Sequence, residues 1–378
     1  MAAVPAAQGR LTVRRALHPL AWWAWALGMA TAASRSTNPL LIAVLVAVVT
    51  YVVAVRRGDA PWARAFPAYL VLGGVVVAVR MAFAAVLGAG SAGHELFRLP
   101  TANLPSWAAG IELGGPVLAE DLLAAGYDGL RLAALIVCVG AANALANPKR
   151  ALRSLPPALY EVAATVVVAL TIAPQLVDSV LRVRRARRLR GSNAKGFGAL
   201  RAVVVPVLED ALSRALSLAA AMDVRGYGRQ GETTARRRYG TSSLLLSAIV
   251  ALALGVYALL DPTAPTMLAA VGVTGGLAFA AGGLVLAGRR VRRTTYRPDP
   301  WTTRETVVAA TGFSCATVMF AISAYDPMLV HPSLVPLTWP SLPLVPLAAV
   351  LLGATPAVAA PEPPRSLVRR TPTHGVPA

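Results

Sequence analysis

The stretch PLLIAVLVAVVTYVVAV, residues Pro39–Val55, contains no charged side chain. A helix that crosses the roughly 30 Å hydrocarbon core of a bilayer needs about 20 mostly apolar residues, within a range of about 17 to 25. The whole chain shares this character, because 56% of its 378 residues are hydrophobic and only 14% are charged, against roughly 25% charged residues in soluble domains. The sequence therefore predicts an all-α integral membrane protein.

Eight stretches are apolar and long enough to be membrane-spanning helices. They are Leu17–Ala33, Pro39–Val55, Pro67–Leu87, Leu130–Ala146, Ser242–Leu260, Met267–Ala287, Thr306–Ser323 and Leu342–Ala360. Arginine in short loops marks the cytoplasmic side of a membrane, and the loops here alternate between arginine-rich and acidic. With eight spans, this alternation predicts a multi-pass protein of the cell membrane whose N-terminus is cytoplasmic.

The positive charge of the chain, formally +19, lies in short basic runs between apolar segments. A nucleic-acid-binding protein would carry such charge on a soluble basic domain. The pattern instead favours cytoplasmic loops beside a lipid bilayer, and no nucleic-acid partner is predicted.

The most basic region, Asn147–Tyr239, lies between the fourth and fifth predicted spans. Its first apolar stretch, Leu155–Leu181, is long enough to cross, but basic residues precede and follow it, so both ends favour the cytoplasm. A polar stripe recurs near helical spacing along it and again along Leu200–Met222. We therefore expect two long amphipathic helices on the cytoplasmic side, neither of which crosses the membrane.

These two helices share a repeated pattern, Pro-x-Leu-x-Asp-x-(Val/Leu)-x-Arg, at an offset of 32 residues. The repeated polar and proline positions are Pro174, Asp178 and Arg182 in the first helix and Pro206, Asp210 and Arg214 in the second. An Asp and an Arg four residues apart are neighbours on one face of a helix. Each proline should bend its helix or begin its second half.

Both repeats run into an Arg-Gly pair. The two tripeptides are Leu189-Arg190-Gly191 and Val224-Arg225-Gly226. Glycine after the last turn is the usual stop for a helix, so each arginine is predicted to lie at a helix end.

Residues that could carry out catalysis form no recognisable pattern. There is no phosphate-binding Gly-x4-Gly-Lys-Ser/Thr loop, no His-Glu-x-x-His site and no Gly-x-Ser-x-Gly elbow. Cys138 and Cys315 lie in apolar runs without histidine neighbours, and Arg80 has no acidic residue within the predicted spans to pair with. We predict no enzymatic activity, no cofactor, no metal site and no ion pathway.

The sequence around the two tripeptides resembles the transmembrane T component of energy-coupling factor (ECF) transporters, the EcfT/CbiQ-like family of vitamin and metal importers related to ABC transporters. Members carry two Ala-Arg-Gly motifs, each ending a cytoplasmic coupling helix. The run AMDVRGYG (Ala221–Gly228) is similar to the second motif, and Pro174 with Arg187–Gly191 is similar to the approach to the first. Leu17-His18-Pro19 and Ser36–Pro39 resemble the opening helices of the family, so the resemblance covers approximately residues 14 to 240.

Two features depart from the family pattern. Leu189 and Val224 replace the alanine of the motifs, and the last three spans exceed the single span expected after the second motif. The run Tyr296–Trp301 is similar to longer members.

The resemblance implies a mechanical coupler. The tripeptides Leu189–Gly191 and Val224–Gly226 would each dock in a groove on one of two ABC-type ATPase subunits, supported by the six repeated residues. Nucleotide-driven closure of the ATPases would then move both helices and transmit force to a separate membrane S component that binds a vitamin or metal ion. The chain itself would bind neither ATP nor substrate.

Two alternatives remain open. The basic run Arg182–Arg190 could be an anchor on anionic lipid without a docking role. The chain could also be a stand-alone secondary transporter of a small solute, although such proteins place ionisable or broken-helix sites at mid-membrane.

The expected organisation follows chain order. It comprises an N-terminal transmembrane bundle at 1–146, the coupling-helix region at 147–240, C-terminal transmembrane helices at 241–360 and a disordered tail at 361–378.

Overall fold

The computed structural model describes residues 16–87, 93–103, 112–191, 197–226, 235–261, 264–289 and 299–362. Over these residues the helices are α1 (Pro19–Ser34), α2 (Pro39–Arg56), α3 (Phe66–Leu87), α4 (Ala119–Leu145), α5 (Pro148–Arg153), α6 (Tyr160–Leu189), α7 (Phe197–Val224), α8 (Ala235–Leu260), α9 (Thr266–Gly288), α10 (Thr303–Tyr325), α11 (Leu344–Leu352) and α12 (Pro356–Ala359). The all-α prediction is confirmed. One antiparallel pair, β1 (Glu95–Asn103) and β2 (Glu112–Leu118), is an addition that the sequence analysis missed.

Each of the first two helices begins at a proline that directly follows a capping residue. The ring Nδ1 of His18 accepts a hydrogen bond from the Leu20 N–H, and Asn38 Oδ1 accepts from the N–H groups of Leu40 and Leu41. The next residue in each case is a proline, which lacks an N–H and has a φ suited to the first helical position. The sequence Asn38-Pro39 therefore sets the first residue of the helix formed by the apolar stretch Pro39–Val55.

Seven helices in the described part of the chain are long and apolar enough to cross a membrane. Six coincide with predicted spans, namely α2, α3, α4, α8, α9 and α10, and the chain is a multi-pass membrane protein. The seventh is α6, which the sequence predicts to lie at the membrane surface because both its ends are basic; length and composition do not test that position. Of the two other predicted spans, α1 has 16 residues, and the last contains the two short helices α11 and α12.

The fourth predicted span, Leu130–Ala146, belongs to a helix that begins well before Leu130. Helix α4 begins at Ala119, directly after β2. Asp128 thus lies within a helix, and its carboxylate binds the guanidinium of Arg80 on α3 at 2.7 Å. The sequence shows no acid for Arg80 within the predicted spans, and its partner Asp128 comes instead from the extra helical turns of α4, outside the predicted span.

The chain folds as two compact units. One takes in the described residues within Met1–Ala151 and Asp299–Ala378, and the other those within Leu152–Pro298. The predicted organisation follows chain order, whereas the packing does not, because α8 and α9 belong with α6 and α7 while α10 to α12 belong with the N-terminal helices.

Helices α1, α2, α4 and α10 to α12 share the core of the first unit. Trp25 and Met29 of α1 are fully buried, and the indole N–H of Trp25 donates to the carbonyl of Gly353 at 3.0 Å. A Cβ on Gly312 would lie only 2.5 Å from the Trp25 carbonyl oxygen. Glycine at 312 therefore allows α1 and α10 to touch along their backbones.

In the second unit, α8 and α9 also pack through glycine. A Cβ on Gly272 would lie 2.6 Å from the Cα of Gly255, and one on Gly276 would lie 2.6 Å from the Leu252 side chain. Gly275, on the same helix, has nothing within 4 Å of its Cβ position. Only one face of α9 therefore requires glycine.

Some predicted features lie outside the described residues. These are residues 1–15, which carry the arginines used to place the N-terminus, residues 363–378 of the predicted tail, and Tyr296–Pro298 of the family-like run.

Candidate functional site

The end of α6 forms the first candidate tip. The helix ends at Leu189, and the Arg190 N–H donates to the carbonyls of Ala186 and Arg187, both at 3.2 Å. Gly191 follows with φ +66°, and its N–H donates to the Arg188 carbonyl at 3.1 Å. This is the left-handed stop in which glycine is favoured, because it has no Cβ to clash.

The end of α7 forms a second tip with the same backbone geometry. The helix ends at Val224, Gly226 has φ +72°, and its N–H donates to the Asp223 carbonyl at 2.8 Å. In both tips the glycine N–H bonds to the carbonyl three residues earlier. The predicted helix stops are therefore confirmed, and Arg190 and Arg225 occupy equivalent positions.

Both tips present an apolar side chain beside an arginine. Leu189 is 84% exposed and Val224 is 89% exposed, more than any other exposed large hydrophobic residue on α6 or α7. Arg190 and Arg225 are exposed as well, and within the described part of the chain neither forms an ion pair. Each guanidinium thus keeps its planar set of donors available to a carboxylate on another molecule.

Asp210 links the two helices behind the tips. Its carboxylate accepts from Arg214 through Nε at 3.0 Å and Nη2 at 2.8 Å, and from the Ser179 hydroxyl of α6 at 2.8 Å. Arg182 of α6 lies 3.6 Å from the same carboxylate. Arg214 also donates to the Gln175 side chain at 3.3 Å. One acid on α7 therefore receives side chains from both helices.

The ordinary pKa of Asp210 is lowered by these contacts. The hydrogen bond from Ser179 is the largest cause, followed by the hydrogen bond and positive charge of Arg214 and then the charge of Arg182, while partial burial opposes them. The carboxylate is consequently ionised throughout the neutral pH range.

The two repeats are not equivalent in their contacts. Asp210 pairs with Arg214, its neighbour on the same face of α7. Asp178 and Arg182 have the same spacing but do not pair, since Asp178 is exposed and Arg182 lies beside Asp210.

Ser179 is the contact that the repeat pattern did not indicate. It is 4% exposed and lies three residues before Arg182, on the same face of α6. The face was recognisable from the sequence, but the partner of Ser179 was not, because it comes from another helix.

The two prolines lie inside continuous helices. Pro174 lies within α6 and Pro206 within α7. Neither begins a new helix, which rules out one of the two predicted roles, and the bend remains a prediction.

In the described residues, no group of three or more His, Cys, Asp or Glu side chains could hold a metal ion. What the two tips offer is an exposed arginine with an exposed apolar neighbour, a combination suited to recognition of another molecule.

One family comparison matches the chain. The model of CbiQ, described as a cobalt transport protein family, matches residues 11–235, which include both tips, the Asp210 cluster and the first four predicted spans. No curated protein matches the chain.

Proposed function

Because the chain belongs to the CbiQ cobalt transport protein family, we propose that it is the transmembrane coupling (T) component of an ECF-type importer. In this role it transmits ATP-driven motion of two ABC-type ATPase subunits to a membrane S component that binds the substrate. It hydrolyses no nucleotide itself.

The observation that carries this proposal is the pair of equivalent tips. Two helices end in the same left-handed glycine stop, each with an exposed arginine and an exposed apolar residue next to it. A machine with two similar ATPase subunits needs two similar contacts, one for each subunit. An arginine fork would bind a carboxylate of the ATPase, and Leu189 or Val224 would fill an apolar pocket beside it.

The Asp210 cluster supports the proposal by joining the two helices. Asp210 receives Ser179 and Arg182 of α6 as well as Arg214 of its own helix. Displacement of one tip would therefore also move the other helix. Asp210, Arg182 and Arg214 are assigned a supporting role, with Pro174, Pro206 and Asp178 shaping the two helices.

The orientation follows from the loop charges. We place the N-terminus and both tips in the cytoplasm, in the cell membrane, with α6 at the membrane surface because Arg150 and Arg153 precede it and a run of arginines ends it. ATP is cytoplasmic, so both tips must lie on that side to meet an ATPase.

The substrate would be selected by the S component. The family description makes cobalt(II) the first substrate to test, and other metal ions and vitamins come next. The same chain would then serve the import of any of these substrates, whichever one the S component binds.

The proposal is tested by co-purification. The tagged chain is extracted in mild detergent, and its bound proteins are identified by mass spectrometry; we expect two ABC-type ATPases and a small hydrophobic membrane protein. The double variant Arg190→Glu with Arg225→Glu should lose the ATPases, because a carboxylate on the ATPase is then repelled. Membrane insertion should be unchanged.

The matched control is Arg184→Glu with Arg185→Glu, which reverses two exposed arginines of the same basic run. This variant should keep the ATPases. Equal loss in both variants would mean that the run is only an anchor on anionic lipid. A chain that purifies alone and transports in liposomes without ATP would be a secondary transporter, and the proposal would fail.

A further inference from the structure

The α6 tip, Leu189–Gly191, and the α7 tip, Val224–Gly226, share a backbone geometry but differ strongly in charge. The seven residues that precede Gly226 contain one acid and one base. The seven that precede Gly191 contain no acid and five bases, namely Arg184, Arg185, Arg187, Arg188 and Arg190. Two helix ends of the same shape therefore carry net formal charges of zero and of +5.

The difference is sharpest three residues before each glycine. The carbonyl of Arg188 accepts from the Gly191 N–H at 3.1 Å, and the carbonyl of Asp223 accepts from the Gly226 N–H at 2.8 Å. Both side chains are exposed, and within the described residues neither forms an ion pair. Equivalent backbone positions thus hold exposed charges of opposite sign, so the two tips are not complementary to the same kind of surface.

The arginines of α6 lie on the side of the helix that is away from α7. Successive residues are about 100° apart around an α-helix, so Arg184 and Arg188 lie about 200° and 240° from Arg182. Arg182 is beside Asp210 of α7, and the other two are therefore on the outer side of the helix pair. From Arg184 to Arg190 the helix rises by about 9 Å, comparable to the Debye length at physiological salt, so these charges act on a partner together.

This arrangement favours a protein partner over a lipid surface. A helix anchored on lipid buries the face opposite its charges in the bilayer. At this end of α6 that opposite face contacts α7 through Arg182 and Asp210. The basic run also extends to the tip itself, where Leu189 is 84% exposed.

We propose that the α6 tip docks on an acidic surface of its ATPase and makes the first, charge-steered contact, whereas the α7 tip docks mainly through apolar contact at Val224. This inference deepens the proposed coupling function and rests on it. Opposite charges accelerate the encounter of two proteins. Arginines behind the tip set the rate of docking, and Arg190 at the tip holds the complex, so loss of charge behind the tip slows binding without releasing the ATPases.

The test measures how fast the chain binds the ATPases that co-purify with it. These ATPases are applied to the chain in nanodiscs of phosphatidylcholine, which has no net charge, and binding is followed by surface plasmon resonance at low and at high salt. The variant is Arg184→Gln with Arg185→Gln and Arg188→Gln. We expect association at low salt to be about tenfold slower and less dependent on salt, with the dissociation rate unchanged.

The matched control moves the same charge to the other tip. It adds Ala219→Arg, Ala220→Arg and Asp223→Asn to the three glutamines, at the equivalent exposed positions before Gly226, and so restores the net charge of the chain. Because the acidic surface faces the α6 tip, association should stay slow. Glutamine, arginine and alanine all favour a helix, so both variants keep α6 and α7.

Three results would overturn the proposal. One is association of the glutamine variant at the unaltered rate, and another is recovery of the rate in the control, because charge at either tip would then serve. The third is slowing that occurs only in nanodiscs containing anionic phosphatidylglycerol, which would show that the arginines act on lipid. Equal slowing in both kinds of nanodisc supports the proposal.

Failure of the proposed function is seen separately. It would appear as an unaltered chain that recovers no ATPases, whereas this inference fails with the ATPases bound.

Discussion

Gly191 and Gly226 set the direction of the chain at the two tips. Their φ angles of +66° and +72° lie in the region that costs other L-residues roughly 1–2 kcal/mol. The sequence predicted these stops because glycine follows the last turn of a repeated helix. It did not predict that the neighbouring Leu189 and Val224 would be the most exposed apolar residues on their helices, since exposure depends on what packs nearby.

The role of Gly191 is tested by Gly191→Ala, which should destabilise the last turn of α6 by about 1 kcal/mol. There is no steric obstacle, since nothing lies within 4 Å of the Cβ position, so the cost is conformational. Hydrogen exchange of the Ala186–Arg190 amides should become faster. Asn tolerates positive φ, so Gly191→Asn should show a smaller change.

The matched control for this variant is Gly198→Ala, at a helical position in α7 that is equally open. Alanine favours a helix over glycine by roughly 1 kcal/mol, so exchange there should become slower. Faster exchange in both variants would contradict the backbone explanation.

The lowered pKa of Asp210 predicts how the link between α6 and α7 depends on pH. Its folded pKa is lowered below the ordinary 3.8, so the link between α6 and α7 stabilises the fold above that value and is lost as pH falls through the lowered pKa. Between pH 5 and 8 the distance between spin labels on α6 and α7 should be constant. Asp210→Asn should lengthen or broaden that distance throughout this range.

The control for Asp210 is Asp178→Asn, the equivalent position of the first repeat, which is exposed and lacks the ion pair. It should leave the α6–α7 distance unchanged. An equal effect at both positions would contradict the assignment of Asp210 as the link.

At the scale of elements, apolar length predicted where most helices lie, but not how they pack. Helix α9 shows the difference, because its glycines look alike in sequence while only some of them touch α8. Gly272 faces the Gly255 backbone, and Gly275 faces open space. The early start of α4 was missed for a related reason. Its first turns carry acidic residues, as a loop would, and only the structure shows that the helix begins directly after β2.

Glycine packing is tested on α9 with one substitution at a crowded position and one at an open position. Gly272→Ala would place a Cβ 2.6 Å from the Gly255 Cα, so the helices must separate, and overpacking of this kind costs typically 1–3 kcal/mol. The melting temperature in detergent should fall.

Gly275→Ala is the control at a position on the same helix where a Cβ would meet nothing within 4 Å, and it should leave the melting temperature equal or higher, because alanine is the better helix former. Identical behaviour of the two variants would show that α8 and α9 do not pack as described.

At the scale of the whole molecule, the C-terminal helices complete the N-terminal bundle. The short turn Ser36–Asn38 between α1 and α2 binds the segment after α10: the hydroxyl of Ser36 donates to the Val330 carbonyl at 2.9 Å, and the Asn38 side chain donates to the Ser341 carbonyl at 2.7 Å. Arg56, at the end of α2, donates from Nε to the Ala357 carbonyl at 2.9 Å. The last two of the three extra spans, which contain α10 to α12, therefore have a structural role in the first unit.

Removal of residues 299–378 should expose buried Trp25 and Met29 and leave Ser36 and Asn38 without their partners. We expect the truncated chain to aggregate on size-exclusion chromatography in detergent and to be cleaved rapidly by protease. Removal of 363–378 alone keeps every contact named here and should give a monodisperse chain. A monodisperse 1–298 fragment would contradict the role of α10 to α12.

The sequence by itself determined the membrane class, the six spans that coincide with long apolar helices, the helix stops at Gly191 and Gly226, and the helix face that Asp210 and Arg214 share. All of these depend on local composition or on spacing within one helix. The tertiary structure decided the partners of Arg80, Arg182 and Ser179 and the division of the spans between two units. These contacts join residues that are distant along the chain, and hydrophobicity, which is non-directional, buries a helix without specifying its neighbour.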